Sequence, residues 1–436
     1  MKLSDYKDKI TWSMADKGLF AGFAVISLMQ ANHTSPEIWG LFAVILNLNN
    51  AILVISDAVA LVNIIQFGIN EENAPKVNLF ALLIHIGIVL LLPFLLYIFK
   101  DHIANTFKNP EDIILVLTYL PLYNIASLLR MYCLKFVYKY SEMNKLFVIN
   151  LMYFLPITLI TLYFIFNLKV DMDFLDFAFM YMCGNIVSSI VALILVHKKI
   201  KIGLKGDITI KQMMNFSIPL LFTQFLNAIP KYLDSIIILY FFDKRINGIY
   251  NTAKTFFRVF DETLFAVQGL LYPAIIRRIN KLDIKGVREL LIKSVSFLLV
   301  GFIFGIIAVQ FGVIDWVYER FIDSAYIDGS LVFKILSFAA LFLPFFLFNT
   351  LINAEGNSKL LLKYVIYAVT GYLLSMYLIG LHGNALLVPI GFIIYVIILG
   401  SCGIFHFKNN YSYNFSDLFQ CFTDANNFLK NKKVHH

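Results

Sequence analysis

Residues 251–267 read NTAKTFFRVFDETLFAV and lie inside a long apolar segment, Gly248 to Ile276. The stretch carries four ionisable side chains at i, i+4, i+7 and i+8, namely Lys254, Arg258, Asp261 and Glu262. This spacing places all four on one face of a helix. An ionised side chain at the centre of a bilayer costs about 2.5–3.5 kcal/mol. Four such groups cannot face lipid, so the stretch predicts a membrane helix whose polar face is covered by protein or by a water-filled cavity.

The rest of the chain has the same apolar character. Of its 436 residues, 59% are hydrophobic and only 15% are charged, and the mean hydropathy is +0.76. Soluble domains contain about 45–50% apolar and about 25% charged residues. A helix of about 20 apolar residues crosses a bilayer and satisfies its own backbone hydrogen bonds. The sequence therefore predicts an all-α polytopic membrane protein with twelve spans, at 11–31, 37–66, 77–99, 112–137, 144–168, 174–197, 214–241, 246–276, 288–314, 329–354, 359–380 and 384–407.

The basic residues of the loops predict the orientation of these spans. The loops on the side of both termini contain 21 lysine and arginine residues, and the opposite loops contain six. Because cytoplasmic loops carry the excess of positive charge, both termini are predicted to lie in the cytoplasm. This topology explains the formal net charge of +8 through contact with anionic lipid, without a nucleic acid partner. The first span is expected to remain as an anchor, since no cleavage site follows a short apolar core.

The lysine-rich segment at 198–211 predicts a division of the chain. We expect an N-terminal six-helix bundle at 1–205, a C-terminal six-helix bundle at 206–410 and a cytoplasmic tail at 411–436. A weak internal repeat supports the two halves. EIWGLF at 37–42 enters the second span, and RINGIY at 245–250, which is 208 residues further on, enters the eighth. Duplicated halves of this kind are typical of transporters.

Polar side chains are concentrated in a few spans, chiefly one, two, seven and eight, and their pairing is open on sequence alone. Lys231 with Asp234, and Arg258 with Glu262, have the spacing of ion pairs within one helix, so a structural role stays open for them. Arg130 in span four has no carboxylate within a turn of its own helix. Lys254 has a like charge, Arg258, four residues away. Cations without local partners favour an anionic ligand.

The sequence contains no motif of an enzyme. It has no GxxxxGK[ST] phosphate loop, no HExxH and no CxxC, and its longest outward loop is the short segment 315–330. We therefore predict a protein that is not an enzyme, needs no cofactor and binds no metal ion. Transport fits the deep position of the charged groups better than catalysis does.

Three segments carry a resemblance to a known family. They are PEIWGLF after the first span, FSIPLLFTQFLNAIPKYLDSIIILYFF at 216–242 and LLYPAIIRRINKLDIKGVRELLIKSVSFLLV at 270–300. Together with the twelve spans and the basic mid-chain loop, they resemble the Wzx-type polysaccharide flippases of the multidrug/oligosaccharidyl-lipid/polysaccharide exporter superfamily. The resemblance implies two six-helix bundles with pseudo-twofold symmetry around a central cavity. It also implies that undecaprenyl-pyrophosphate-linked oligosaccharide, such as O-antigen units of lipopolysaccharide, is flipped across the bacterial cytoplasmic (inner) membrane.

This resemblance assigns roles to the polar residues of the spans. A pyrophosphate that crosses a region of low dielectric needs fixed cations there. The side chains predicted to bind the pyrophosphate and the sugars are Arg258, Lys254, Lys231, Arg130, Lys17, Gln224 and Asn227. The carboxylates predicted to couple transport to a gradient of H+ or Na+ are Asp57, Asp234, Asp261, Glu262 and Asp16. The expected partners are the lipid-linked glycan, the coupling ion, membrane lipids and a polysaccharide polymerase.

Three other functions are weighed against this one. A multidrug or organic-cation antiporter of the same superfamily would need an acidic cavity, whereas the charges in these spans are balanced to basic. A lipid II flippase of the superfamily would normally have fourteen spans, and this sequence has twelve. A membrane-embedded glycan polymerase would need a long outward loop for its active site, and the outward loops are short.

Overall fold

The computed structural model describes residues 3–412, except 169 and 280, together with 414 and 416–418. Within this part of the chain, all regular secondary structure is helical. The long helices are α1 Leu3–Asn32, α2 Pro36–Gln66, α3 Ala74–Ile98, α4 Pro110–Tyr140, α5 Met143–Leu168, α6 Phe174–Lys199, α7 210–241, α8 Lys244–Ile279, α9 Ile284–Phe321, α10 Asp328–Ala354, α11 Ser358–His382 and α12 Ala385–Tyr411. The predicted tail, 411–436, lies largely outside the described residues.

Ten of the described helices are long and apolar enough to cross a membrane, and they are α2 to α6 and α8 to α12. The other two, α1 and α7, cover the predicted spans 11–31 and 214–241 and carry more polar side chains. Every predicted span therefore falls on a helix. The prediction of an all-α, polytopic membrane protein is confirmed.

Local sequence sets where several helices begin. At the start of α2, Ser35 Oγ accepts a hydrogen bond from the Ile38 N–H, and Pro36 fills the first helical position, where no N–H is needed. Thr209 and Gln212 form a capping box at the start of α7, in which each side chain accepts a hydrogen bond from the other residue's N–H. These caps satisfy N–H groups that the first turn of a helix leaves without partners.

Four of the described helices contain a π-helical turn, at Asp57–Leu61 in α2, Phe164–Leu168 in α5, Ile229–Leu233 in α7 and Val309–Val313 in α9. Two of these turns include predicted site residues, Asp57 and Lys231. In α7, Pro230 has no N–H to donate to the preceding turn, which accounts for the local departure from α-helix. π turns occur frequently at functional sites, and they rotate the following side chains away from a regular helical stripe.

By packing, the chain divides into two compact units, Met1–Asn251 and Thr252–His436. The division lies inside α8, whereas the predicted halves meet at the basic segment. α7 accounts for this difference because it packs against α2 within the first unit. Asn47 donates to Ser235 Oγ at 2.7 Å, and Asn63 donates to Ser217 Oγ at 2.8 Å. The predicted halves and the compact units are thus two different divisions of one chain.

Each unit has its own packed interior. In the first unit, α4 is central, since it packs against α2, α3 and α6, and α5 packs against α1 and α6. Phe136, Ile149 and Ala192 are fully buried where α4, α5 and α6 meet. In the second unit, α12 packs against both α10 and α11. There the rings of Phe348 and Phe407 stack with centroids 4.2 Å apart.

Candidate functional site

Arg130 of α4 is the centre of a polar chain that joins four helices of the first unit. Its guanidinium donates from Nη2 to Asn150 Oδ1 at 2.7 Å and from Nε to Ser188 Oγ at 3.0 Å. Asn150 of α5 in turn donates from Nδ2 to Oδ1 of Asp16 in α1 at 2.7 Å. The guanidinium also stacks on the Tyr153 ring, 4.5 Å from its centroid. A single side-chain amide therefore connects the cation of Arg130 to the carboxylate of Asp16.

This chain explains how two predicted site residues are kept in the interior of the unit. Asp16 is only 6% exposed, and a carboxylate in such a position needs hydrogen bonds and a nearby cation. Asn150 supplies the hydrogen bond and brings Arg130 close. Two of the five guanidinium donors of Arg130 are occupied by protein acceptors. The carboxylate that the sequence lacks within α4 is thus supplied by α1.

Asp57, in the π turn of α2, forms an ion pair with Lys135 of α4, with 2.6 Å between Oδ1 and Nζ. Beside this pair, His85 Nε2 lies 2.9 Å from the carbonyl oxygen of Leu128, and His85 Nδ1 lies 2.6 Å from Ser56 Oγ. A carbonyl can only accept, so Nε2 carries a proton, and neutral His85 then accepts at Nδ1 from the Ser56 hydroxyl. Both ring nitrogens are satisfied, as expected of a buried structural histidine.

The predicted site residues of α7 are divided between surface and core. Gln224 is exposed, and Asn227 and Lys231 are half-buried. Lys231 Nζ lies 5.3 Å from the centroid of the Tyr232 ring. Asp234 follows the π turn and is only 1% exposed, and its Oδ1 accepts from the Ser235 N–H at 2.8 Å. Because the π turn separates Asp234 from Gln224 and Asn227, the predicted stripe is interrupted.

The four charged residues of the opening stretch lie on α8, a single helix of 36 residues. Lys254, Asp261 and Glu262 are half-buried, whereas Arg258 is exposed. Within the described part of the chain, Arg258 forms neither a hydrogen bond nor an ion pair. Lipid tails offer no acceptor to a guanidinium, so an exposed arginine in the middle of a span requires water or an anion.

Exposure sorts the charged candidate residues by sign. The two that are fully exposed, Lys17 and Arg258, are both cations. The carboxylates are buried or half-buried without exception, at Asp16, Asp57, Asp234, Asp261 and Glu262. Among the candidate residues, the charges most available to a ligand are therefore positive.

Several residues of these networks are absent from the predicted site. Asn150 could have been found, since it is a lone amide in the apolar span 144–168 and polar residues in spans are often functional. Ser188 and Tyr153 carry no such signal, because serine and tyrosine are common in membrane helices. Lys135 lies close to the end of span four, where a lysine is expected to reach the membrane surface. Its partner Asp57 is on another helix and could not be identified from spacing.

In the second unit, the end of α10 is joined to α12 by a further polar cluster. His406 Nε2 lies 2.9 Å from Glu355 Oε2, and the Tyr411 hydroxyl donates to Glu355 Oε1 at 2.6 Å. Throughout the described residues, no group of three or more histidine, cysteine, aspartate and glutamate side chains is arranged to hold a metal ion.

Comparison with known proteins places this geometry in a family. The pattern of the family described as polysaccharide biosynthesis protein matches residues 8–279. A search of curated proteins finds no significant match. Among solved structures, the chain is similar to the lipid II flippase MurJ in an inward closed conformation, with a TM-score of 0.72 and 16% identity over 94% of this chain and 90% of that one.

Two transporter structures are also similar. An inward-facing multidrug resistance MATE transporter of the MOP superfamily gives a TM-score of 0.66 and 13% identity over 93% of this chain and 94% of that one. The MATE transporter VcmN of Vibrio cholerae gives 0.61 and 16% over 95% and 98%. At these identities the likeness establishes the fold, while the family match covers well over half of the chain. The chain is a multi-pass membrane protein that belongs to the polysaccharide biosynthesis protein family and has the fold of the MOP-superfamily flippases and transporters.

Proposed function

We propose that this protein flips oligosaccharide linked to undecaprenyl pyrophosphate across the bacterial cytoplasmic membrane. The family supports a role in polysaccharide biosynthesis, and the fold supports a transporter in preference to an enzyme. The observation that carries the proposal is Arg258, an exposed guanidinium in the middle of α8 with no partner among the described residues. Arginine can bind phosphate oxygens with two parallel hydrogen bonds, which suits a pyrophosphate crossing a region of low dielectric.

The other predicted binding residues complete this proposal. Lys254 lies one turn before Arg258 on the same helix, and Lys231 lies in the π turn of α7. Lysine acts as a mobile point charge that can follow a moving phosphate. Lys17 and Gln224 are exposed and can offer donors to phosphate or sugar oxygens. Asn227 and Arg130 are half-buried, and in this proposal they contact the sugars.

A gradient of H+ or Na+ is the proposed driving force. Asp16 is the carboxylate best placed to couple it, because it is connected through Asn150 to Arg130. Protonation of Asp16, or binding of Na+ to it, would weaken the hydrogen bond from Asn150 and change how Arg130 is held. Asp57, Asp234, Asp261 and Glu262 are the further coupling candidates. Both termini are proposed to face the cytoplasm, on the evidence of the loop charges, and a polysaccharide polymerase is a proposed partner.

A reconstituted translocation assay tests the substrate class. Liposomes containing undecaprenyl-pyrophosphate-linked N-acetylglucosamine would be treated with membrane-impermeant periodate, which oxidises only the sugars of the outer leaflet. We expect the wild-type protein to expose the inner-leaflet sugars and Arg258→Glu to lower this rate at least ten-fold. The matched control is Arg320→Glu, since Arg320 is exposed near a predicted outward loop. An unchanged rate for Arg258→Glu at equal protein content would contradict the proposed cation role.

The alternative function, export of organic cations, has the MATE-like fold in its favour. The exposed candidate charges are cations, however, and would repel such a substrate. Ethidium efflux from cells that lack their own multidrug pumps separates the two functions. We expect no efflux above that of cells carrying an empty vector. A glycan polymerase has less support, because the outward loops of the predicted topology are short.

A further inference from the structure

A second concentration of positive charge lies at the ends of α4 and α6 that are predicted to face the cytoplasm. We call it the α4–α6 basic cluster, and it consists of Lys135, Lys139, Lys145, Lys199 and Lys201. None of these residues belongs to the proposed transport site. The cluster lies at the depth where lipid headgroups meet the ends of membrane helices.

Three carboxylates engage four of the five lysines. Asp57 pairs with Lys135 at 2.6 Å, and Glu71 pairs with Lys201 at 2.8 Å. Glu142 lies between two lysines, with 2.6 Å to Lys199 Nζ and 3.2 Å to Lys145 Nζ. The cluster therefore keeps an excess of two positive charges after these pairs are formed.

Lys139 has no such carboxylate. Its Nζ is buried and has no hydrogen-bond partner in the part of the chain that the structure describes. The Nζ lies 4.9 Å from the centroid of the Tyr140 ring, and Lys199 Nζ lies 4.5 Å from the centroid of the same ring. The ring and the carbonyl end of α4 favour a nearby cation. They give the ammonium no acceptor, and two like charges on one ring repel each other.

We propose that the α4–α6 basic cluster binds the phosphate of an anionic lipid headgroup, with Lys139 and Lys199 as its two principal contacts. A phosphate diester has oxygens enough to accept from both ammonium groups, and its charge relieves their repulsion. Lys139 reaches the phosphate by a change of rotamer, because its stem is flexible and Tyr140 lies beside it at the end of α4. The membrane supplies such headgroups at this depth. The inference does not rest on the proposed transport function.

Thermal unfolding of the full chain in a neutral detergent tests this site. The midpoint would be measured with added phosphatidylglycerol, with phosphatidylcholine and with inorganic phosphate at the same concentration. We expect phosphatidylglycerol to raise the midpoint more than the other two. Lys139→Gln is expected to remove at least half of that difference, and Lys139→Arg is expected to keep most of it. Lys198→Gln is the matched control, since Lys198 is exposed at the same helix end.

A second variant keeps the test decisive if Lys139→Gln does not fold. Lys199→Gln leaves the buried ammonium in place and is expected to lose part of the phosphatidylglycerol effect. A full effect in both lysine variants would overturn the site. An equal effect of inorganic phosphate on the wild-type protein would overturn the lipid assignment, because the site would then bind free anions.

Discussion

Gly40 of α2 lies against the turn of α8 that contains Gly248. A methyl group on Gly40 would be 2.8 Å from the backbone nitrogen of Gly248 and would collide with the carbonyl oxygen of Lys244. Asn247 strengthens this contact by donating from Nδ2 to the carbonyl oxygen of Gly40 at 2.7 Å. The two glycines are 208 residues apart, which is the offset of the internal repeat. Contact between equivalent residues is what a two-fold repeat produces beside its axis.

Substitution at this contact is expected to destabilise the protein. In Gly248→Ala, the new methyl group would collide with the backbone carbonyl of Pro36, which cannot move without displacing the start of α2. Overpacking of this kind costs about 1–3 kcal/mol, so the thermal midpoint in detergent should fall by several degrees. Gly22→Ala is the control, because no atom lies within 4 Å of a methyl group there. Equal midpoints for the two variants would show that the close approach of the helices is not required.

The ion pair between Asp57 and Lys135 is expected to contribute to stability through a specific coupling. Asp57→Asn leaves the ammonium of Lys135, whose side chain is only 15% exposed, without its carboxylate. Because Asp57 itself is 36% exposed, we expect a loss of about 1–2 kcal/mol, less than for a fully buried pair. Asp57→Asn, Lys135→Met and the double variant form a thermodynamic cycle. Additive effects in that cycle would show that the pair has no net coupling.

Asp16→Asn is expected to separate folding from energy coupling. The new amide oxygen can still accept the hydrogen bond from Asn150, so the protein should fold with a midpoint near that of the wild type. The side chain can no longer titrate, so stimulation of translocation by an imposed pH or Na+ gradient should fall at least five-fold. The ratio of initial rates with and without the gradient measures this effect. Asp101→Asn, at an exposed carboxylate, should keep the full ratio. Asp16 is not the coupling residue if both variants respond alike.

Glu142, between α4 and α5, predicts how stability depends on pH. Partial burial raises the pKa of its carboxyl, but the hydrogen bonds and charges of Lys199 and Lys145 together outweigh burial, and the pKa lies below the ordinary value of 4.5. A lowered pKa in the folded state stabilises the protein above the unfolded pKa, and this contribution is lost as the pH falls through the folded pKa. The thermal midpoint of Glu142→Gln should therefore fall less steeply below pH 4.5 than that of the wild type. Glu289→Gln, at an exposed carboxylate, should follow the wild-type curve.

The helices could be predicted closely because their causes are local. The predicted span 37–66 corresponds to the helix Pro36–Gln66, and Ser35 and Pro36 mark its start in the sequence itself. The π turns were not predicted, because an apolar span keeps its hydropathy whether a turn contains four residues or five. In α7 this matters for the site, since Asp234 is displaced from the stripe that Gln224 and Asn227 begin.

The membrane class, the positions of the spans and the identity of the polar residues within them follow from the sequence alone, because transfer of a helix into lipid depends on that segment's own side chains. The partners of those polar residues follow only from the tertiary structure. Asp16 reaches Asn150 across 134 residues, and Arg258 alone among the charges of its stretch is left exposed without a partner in the described chain. Ion pairs and hydrogen bonds act over a few ångströms between helices, so the packing of the helices decides which charges are neutralised within the protein and which remain for a ligand.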